Sequence, residues 1–304
     1  MTPEQQRGGA GSAAPPAVYG AAGRAAPAGA ARSSFHLALR LLPETRRAAM
    51  FEIYAFCRAV DDVADGPGAA PDKRAALERW RADIRACCAG AGPQQLAALQ
   101  RHIAAFGLAC ADFEAIIDGM LMDAEAAPLC AAPAATLDLY CDRVASAVGR
   151  LSVRVFGMPH DDGVLLAHHL GRALQFTNIL RDIDEDAAIG RAYLAREWLL
   201  DAGVNPEDIA RGAAAIAAHP ALAPACLRMA AQAQGYFEEA TRIMRRQPAH
   251  CVRTPRLMAA VYRALLARLL ARGWSGPRRA VRVGKFAKLG ILLRHAVAWQ
   301  SIQH

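Results

Sequence analysis

The chain has 304 residues, of which 54% are hydrophobic and 21% charged, with only 24 Gly and 17 Pro. That composition excludes a disordered or collagen-like chain and supplies enough apolar side chain for one large core. The formal charge of +8 invites a nucleic-acid reading, yet eleven of the 36 Lys and Arg lie from Cys251 onward with no Asp or Glu among them, leaving 25 basic against 28 acidic residues before it. An acidic body with a basic, apolar-rich end suits an anionic membrane surface or an anionic substrate rather than a duplex, so no nucleic-acid partner is expected.

Residues 1–31 are Gly, Ala, Pro and Ser with almost no large apolar side chain and are expected to form a flexible leader. From Ser33 apolar residues recur every three or four positions, and no alternating stretch long enough for a strand stands out. Breaks at Gly66 to Pro71, Gly90 to Pro93, Ala126 to Pro133, Gly157 to Gly163, Gly203 to Pro206, His219 to Pro224 and Gly273 to Pro277 predict eight to ten helices. No linker marks a domain boundary, so the expectation is an all-α, single-domain helical bundle over 32–298. The eight cysteines form no C-x-x-C pair and read as buried free thiols in a reducing compartment. With no run of about 18 uncharged apolar residues and no signal-peptide order at the start, a cytoplasmic location is expected.

At 100° per residue, Tyr54, Arg58, Asp61 and Asp65 fall within about 60° on one helix face. Two carboxylates one turn apart repel, and one arginine balances them only in part; a hard divalent cation such as Mg²⁺ would complete the balance. An acidic helix end facing water beside Gly66 accounts for this first pair equally well. A second helix, over a hundred residues later, repeats the pattern: Gln175, Asn178, Asp182 and Asp186 share a face next to Arg181, while Asp184 points away. If the two helices face each other across a bundle, four carboxylates meet at one cavity and could hold several Mg²⁺ ions, whose natural counter-ligand is a diphosphate.

Asp61-x-x-x-Asp65 and Asp182-x-x-x-Asp186 resemble the two aspartate-rich motifs of the squalene and phytoene synthase family. Three more segments match it in order: Ser34-Phe35 with Leu41-Leu42-Pro43, then Tyr140 to Gly149, then Gly190-Arg191-Ala192-Tyr193-Leu194. The resemblance, from about 33 to 290, implies a helical bundle of the class I isoprenoid synthase type around a central cavity. It also implies prenyl diphosphate substrates and Mg²⁺ ions bridging Asp61, Asp65, Asp182 and Asp186 to diphosphate, with Asn178 beside them and Asp62 and Glu185 as further candidates off the main face. Arg58, Arg181 and Tyr193 match diphosphate contacts; Ser34, Phe35, Tyr54, Tyr140 and Gln175 belong to the substrate-binding set. Ordinary core packing explains Tyr140 as well. Tyr140, Val144 and Ala147 would share a face, with Ala147 leaving room for a prenyl tail. Where the family often has Ser-x-Ser-Phe, this chain has Arg32-Ser33-Ser34-Phe35.

Two passages, Arg181 to Arg191 and Pro255 to Arg294, are similar to the bacterial hopanoid-pathway members that stop at presqualene diphosphate, feeding downstream enzymes of squalene formation. No Gly-rich dinucleotide fingerprint is present and NADPH is not expected. Phytoene synthesis from geranylgeranyl diphosphate, or squalene or dehydrosqualene synthesis, is the alternative; a non-catalytic assembly factor on the same fold is the rival of another class. A di-iron bundle needs Glu-x-x-His, which does not occur. Finally, the basic amphipathic segment 278–298 interleaves Arg278, Arg279, Arg282, Lys285, Lys288 and Arg294 with apolar residues. It reads either as an interfacial helix on the inner face of the cytoplasmic membrane or as a last helix packed on the bundle.

Overall fold

The computed structural model describes Leu39 and residues 42–125, 129–276 and 278–281. The leader, Arg32, Ser34, Phe35 and the basic segment beyond Val281 lie outside the described residues. Within them the chain forms twelve α-helices, more than the Gly and Pro breaks suggest. The surplus comes from stops that the sequence marks weakly: Gly107, and the turn from Ile189 to Ala195, where the chain leaves one helix without any proline. Conversely, Gly163 and Pro224 lie inside helices rather than in breaks.

The first helix, α1 (Glu44–Asp65), buries Ala49, Met50, Ile53, Phe56, Val60 and Ala64, the three-and-four spacing of one apolar stripe. It packs on α2 (Ala70–Cys88), α3 (Ala97–Phe106), α4 (Cys110–Ala124) and α6 (Ala147–Phe156). Phe56 stands edge-on to Trp80 and Phe113, with ring centroids 5.8 and 5.2 Å away, and so locks α1 to α2 and α4. The 29-residue α7 (His160–Ala188) is the axis of the other half, packed on α6 and on two long helices, α11 (Leu222–Arg245) and α12 (Ala249–Arg272). Short helices α8 (Arg196–Asp201), α9 (Pro206–Ala210) and α10 (Ala213–Ala218) close its end. Among the described residues nearly all the buried apolar side chains, Ala167 and Ala213 apart, belong to one continuous core.

Between α5 (Ala134–Cys141) and α6, residues Asp142–Ser146 wind as one π-helical turn. The wider turn shifts the phase of the helix, yet Tyr140 and Val144 both meet α4, at Asp123 and Gly119, and Ala147 is fully buried. Arg172 of α7, with a side chain only 4% exposed, holds this turn in place. Its Nε and Nη2 donate to the two Asp138 oxygens at 2.7 and 2.9 Å, and its Nη1 donates to Ser146 Oγ at 2.9 Å. Arg150 adds bonds to Asp112 and Asp142. A buried guanidinium is tolerable because the fork is matched by carboxylates on several sides.

The π-turn and α7 approach so closely that a Cβ on Gly171 would lie 2.9 Å from the Ser146 backbone nitrogen, while a Cβ on Gly235 of α11 would meet nothing within 4 Å. Gly171→Ala is therefore expected to lower the melting temperature, and Gly235→Ala to raise it by the stability Ala adds over Gly in a helix, about 0.5–1 kcal/mol. Thermal unfolding of the two variants beside the parent measures both; equal shifts would refute the close approach.

Candidate active site

The two Asp-bearing helices are joined at their C-terminal ends by a cluster of side chains rather than by helix-on-helix packing. The segment after α4 and the segment after α7 run side by side: Ala192 N donates to Leu129 O and Ala131 N donates to Ala192 O, each at 2.9 Å, a two-bond parallel bridge. In extended chain, side chains alternate, so Arg191 and Tyr193 emerge on the same side. Both meet Asp123, which is 8% exposed in the last turn of α4. Tyr193 donates its hydroxyl to Asp123 Oδ1 at 2.6 Å and Tyr140 donates to Oδ2 at 2.8 Å. The two phenol rings stack, 4.8 Å apart and 12° from parallel. Arg191 donates to the Asp123 carbonyl at 3.2 Å and reaches across to Asp65 at 2.8 Å. Through these bonds the end of α1 is tied to the end of α7.

Each Asp pair keeps to its own helix. On α1, Arg58 forks between Asp61 and the largely exposed Asp62, and Asp65 is held by Arg191. On α7, Arg181 clasps both oxygens of Asp182 at 2.6 and 2.5 Å, and Asp186 looks toward Arg191. Asp184 does point away, as its spacing predicts, and pairs with Arg278. Glu185 is exposed, Gln175 is half-buried one turn before Asn178, and Tyr54 is half-buried on α1. Among the described residues no three His, Cys, Asp or Glu side chains converge on one point where a metal ion could sit. The carboxylates gather round a common space, and arginines hold the oxygens that a cation would otherwise take.

That space is electrostatically crowded. Burial, then the neighbouring Asp65, push Asp61 up to about 6 despite Arg58. Burial, then Asp182, push Asp186 up to about 7 despite Arg191. Asp123 is also raised, by burial, against the opposing pull of Tyr193, Arg191 and Tyr140. Both Asp61 and Asp186 feel the charge of Asp123, so three helices contribute to one negative field. On α7, Asn178 Oδ1 is buried with no hydrogen-bond partner among the described residues, and Tyr262 of α12 stands beside Asn178 and Arg181. A hard divalent cation fits this donor set: the oxygens are those it prefers, and Mg²⁺ needs only one or two carboxylates when waters and phosphate fill the remaining positions. Next to Asp186 and Arg191, Ile179, Ile183 and Leu194 line a narrow recess with room for about one water.

Of the predicted residues, Asp65, Tyr140 and Tyr193 meet at the Arg191–Asp123 cluster and Asp61 and Asp186 feel its charge; Arg58 pairs with Asp61 and Asp62 on its own helix, and Asn178 and Arg181 stand beside Tyr262, with Asp182 held by Arg181. Tyr193, matched to a diphosphate contact, here gives its hydroxyl to Asp123. The predictions leave out Asp123, Arg191 and Tyr262. Asp123 had a signal, a lone carboxylate in the apolar run Met120-Leu121-Met122, because an acid buried there must be partnered. Arg191 had one too, two positions before Tyr193 in a segment too short for a helix.

A model of the squalene/phytoene synthase family matches residues 28–287. The presqualene diphosphate synthase of Rhodopseudomonas palustris is 50% identical over 265 residues, 87% of this chain and 93% of that one. That of Zymomonas mobilis subsp. mobilis is 51% identical over 272 residues, 89% and 91% of the two chains. The crystal structure of a dehydrosqualene synthase in complex with ligand superposes with a TM-score of 0.74 at 26% identity, over 88% of this chain and 92% of that one. The all-helical architecture is thus the isoprenoid synthase fold expected from the sequence. With two Asp-bearing helices brought to one cluster and the family model spanning most of its length, the chain belongs to the squalene/phytoene synthase family.

Proposed function

We propose that the chain is a prenyltransferase that joins two molecules of farnesyl diphosphate head to head, giving presqualene diphosphate and pyrophosphate. The observation that carries this reading is the junction of the two Asp-bearing helices through Arg191 and Asp123. The choice of product is supported by relatives named for it at half identity over most of both chains.

Asp61, Asp65, Asp182, Asp186 and Asn178 are the residues assigned to hold Mg²⁺, with Asp62 and Glu185 outside the main set. When bound, Mg²⁺ neutralises the diphosphate leaving group so that the allylic C–O bond can ionise. Arg58 and Arg181 are matched to carboxylates in this structure. Were those carboxylates to take up a cation, the two planar forks would be free to bind phosphate oxygens, a geometry that arginine satisfies with two bonds at once. Arg191 keeps the ends of α1 and α7 in register during that exchange. Asp123 accepts the hydroxyl hydrogen bonds of Tyr140 and Tyr193 and fixes the stacked rings as a wall of the cavity. Ile179, Ile183 and Leu194 supply apolar side chains beside Asp186, of the kind needed to keep water from a carbocation. Ser34 and Phe35, outside the described residues, complete the substrate-binding set together with Tyr54 and Gln175.

The product is a C30 chain, and contact of the basic segment with an anionic bilayer belongs to the same reading. No described helix is long and apolar enough to cross a membrane. The first residue of that segment is withdrawn from any such surface, since Arg278 has a side chain only 7% exposed and is bound to Asp184. The contact therefore rests on the residues from Arg282 onward.

With Mg²⁺ and farnesyl diphosphate the enzyme is expected to accumulate a C30 cyclopropyl diphosphate, with or without NADPH, as read by mass spectrometry; C40 phytoene from geranylgeranyl diphosphate would overturn the product assignment. The raised Asp61 and Asp186 fix a pH dependence. Their folded values lie above the ordinary range near 4, so the folded state favours their protonated forms, and the stability this contributes is lost as the pH rises through about 6 and about 7. In chelator, the melting temperature of Asp186→Asn is expected to fall less between pH 5.5 and 8 than that of the parent; parallel falls would count against the crowded pair. Flotation with anionic liposomes, comparing the full chain with one ended after Val281, is expected to show weaker binding by the shorter chain, and equal binding removes the membrane role of the segment.

A further inference from the structure

The second Asp motif holds four acidic residues in five, Asp182, Asp184, Glu185 and Asp186, yet only Asp182 and Asp186 serve the cavity. Helical spacing already turns Asp184 away, and a bend inside the run sets its phase. Helix α7 leaves helical geometry at Asp182, with φ −101° and ψ 15°. Sharp bends arise where a group from outside enters the helical ladder. Here the indole of Trp274, itself 2% exposed, donates from Nε1 to the carbonyl of Leu180 at 3.1 Å, just before the bend.

Four residues further on, Arg278 grips the other side. Its Nε donates to Asp184 Oδ2 at 3.0 Å and its Nη2 donates to Asp184 Oδ1. Its remaining bonds go to the carbonyls of Trp274, at 3.1 Å, and Ala217, at 2.9 Å, so the guanidinium is anchored to the bundle and not free to follow Asp184. Arg272, at the end of α12, fastens the segment at both ends by donating to Gly273 O at 3.0 Å and Arg279 O at 3.1 Å. None of these bonds touches Asp182 or Asp186.

We propose that Trp274 and Arg278 are positioning residues, forming a strap that holds α7 bent at Asp182 and removes Asp184 from competition for the cation. A helix free to rewind at residue 182 would turn the residues after it by part of a 100° step and change which carboxylates face the cavity. The strap fixes that phase and neutralises the carboxylate that lies two residues from both assigned ligands. The proposal rests on the reading of Asp182 and Asp186 as metal and diphosphate ligands.

The test uses the full chain and measures the Mg²⁺ concentration at which inorganic pyrophosphate raises the melting temperature half-maximally, together with amide hydrogen exchange over residues 181–187. Arg278→Ala should raise that concentration by about tenfold and speed exchange over 181–187, leaving exchange in α11 unchanged. Trp274→Phe, which keeps an aromatic ring but loses the indole donor, should speed exchange over the same residues. The double variant Asp184→Asn/Arg278→Ala, which also removes the competing carboxylate, should recover at least half of the shift on a logarithmic scale. A Mg²⁺ requirement within twofold of the parent in Arg278→Ala overturns the proposal, and so does a shift that follows the drop in melting temperature and is not recovered in the double variant. If the parent shows no Mg²⁺-dependent response to pyrophosphate, the metal reading itself fails; if the parent responds and Arg278→Ala matches it, only the strap fails.

Discussion

Like charge in a poorly hydrated space is the constraint on which the structure turns. Asp61, Asp65, Asp123, Asp182 and Asp186 are carried on three helices, and burial makes the charges of Asp61, Asp123 and Asp186 harder to hold. The bundle meets this with guanidinium groups. Arg191 is the central one, because it alone reaches from the segment after α7 to the last turn of α1 while also binding the α4 backbone. Its partners come from three parts of the chain, so the register of the two Asp helices depends on one planar cation. Asp61 and Asp186 stay raised in spite of Arg58 and Arg191, so the compensation is incomplete.

The rest of the bundle can be understood as support for that arrangement. The far face of α7 is fixed by Arg172, whose fork closes on Asp138 and Ser146 at the π-turn. Tyr140, in the last turn of α5 just before it, is thereby set against Asp123. At the other end, Trp274 and Arg278 hold the bend. One helix is thus anchored on both sides of its reactive stretch by buried polar groups, while its apolar residues Leu166, Leu170, Phe176, Ile179 and Leu180 fill the core.

The features legible in the sequence were those carried by helical periodicity. Asp61 and Asp65, and Asn178, Asp182 and Asp186, announce themselves through spacing because a regular helix converts spacing into a shared face. The same arithmetic turned Asp184 away correctly, since the bend at Asp182 leaves the Asp182–Asp186 pair neighbouring. It gave no hint of the π-turn at 142–146, which alters the step per residue between Tyr140 and Ala147 and which no local residue type signals. Asp123 and Arg191 escaped for a different reason. Their meaning lies in a two-bond bridge between segments remote in sequence, and no one-dimensional pattern encodes which loop will lie beside which.

That bridge also sets when the site can exist. Asp65 and Arg191 are separated by 126 positions, and the tie between them closes a loop that contains most of the first half of the bundle. Closing so long a loop is entropically unfavourable until the intervening helices have packed. A growing chain therefore carries both members of its first Asp pair long before it has a site, and no fragment that stops short of Arg191 can assemble one. Loss of binding in a damaged or truncated chain would then report the state of the whole bundle rather than the chemistry of any single carboxylate.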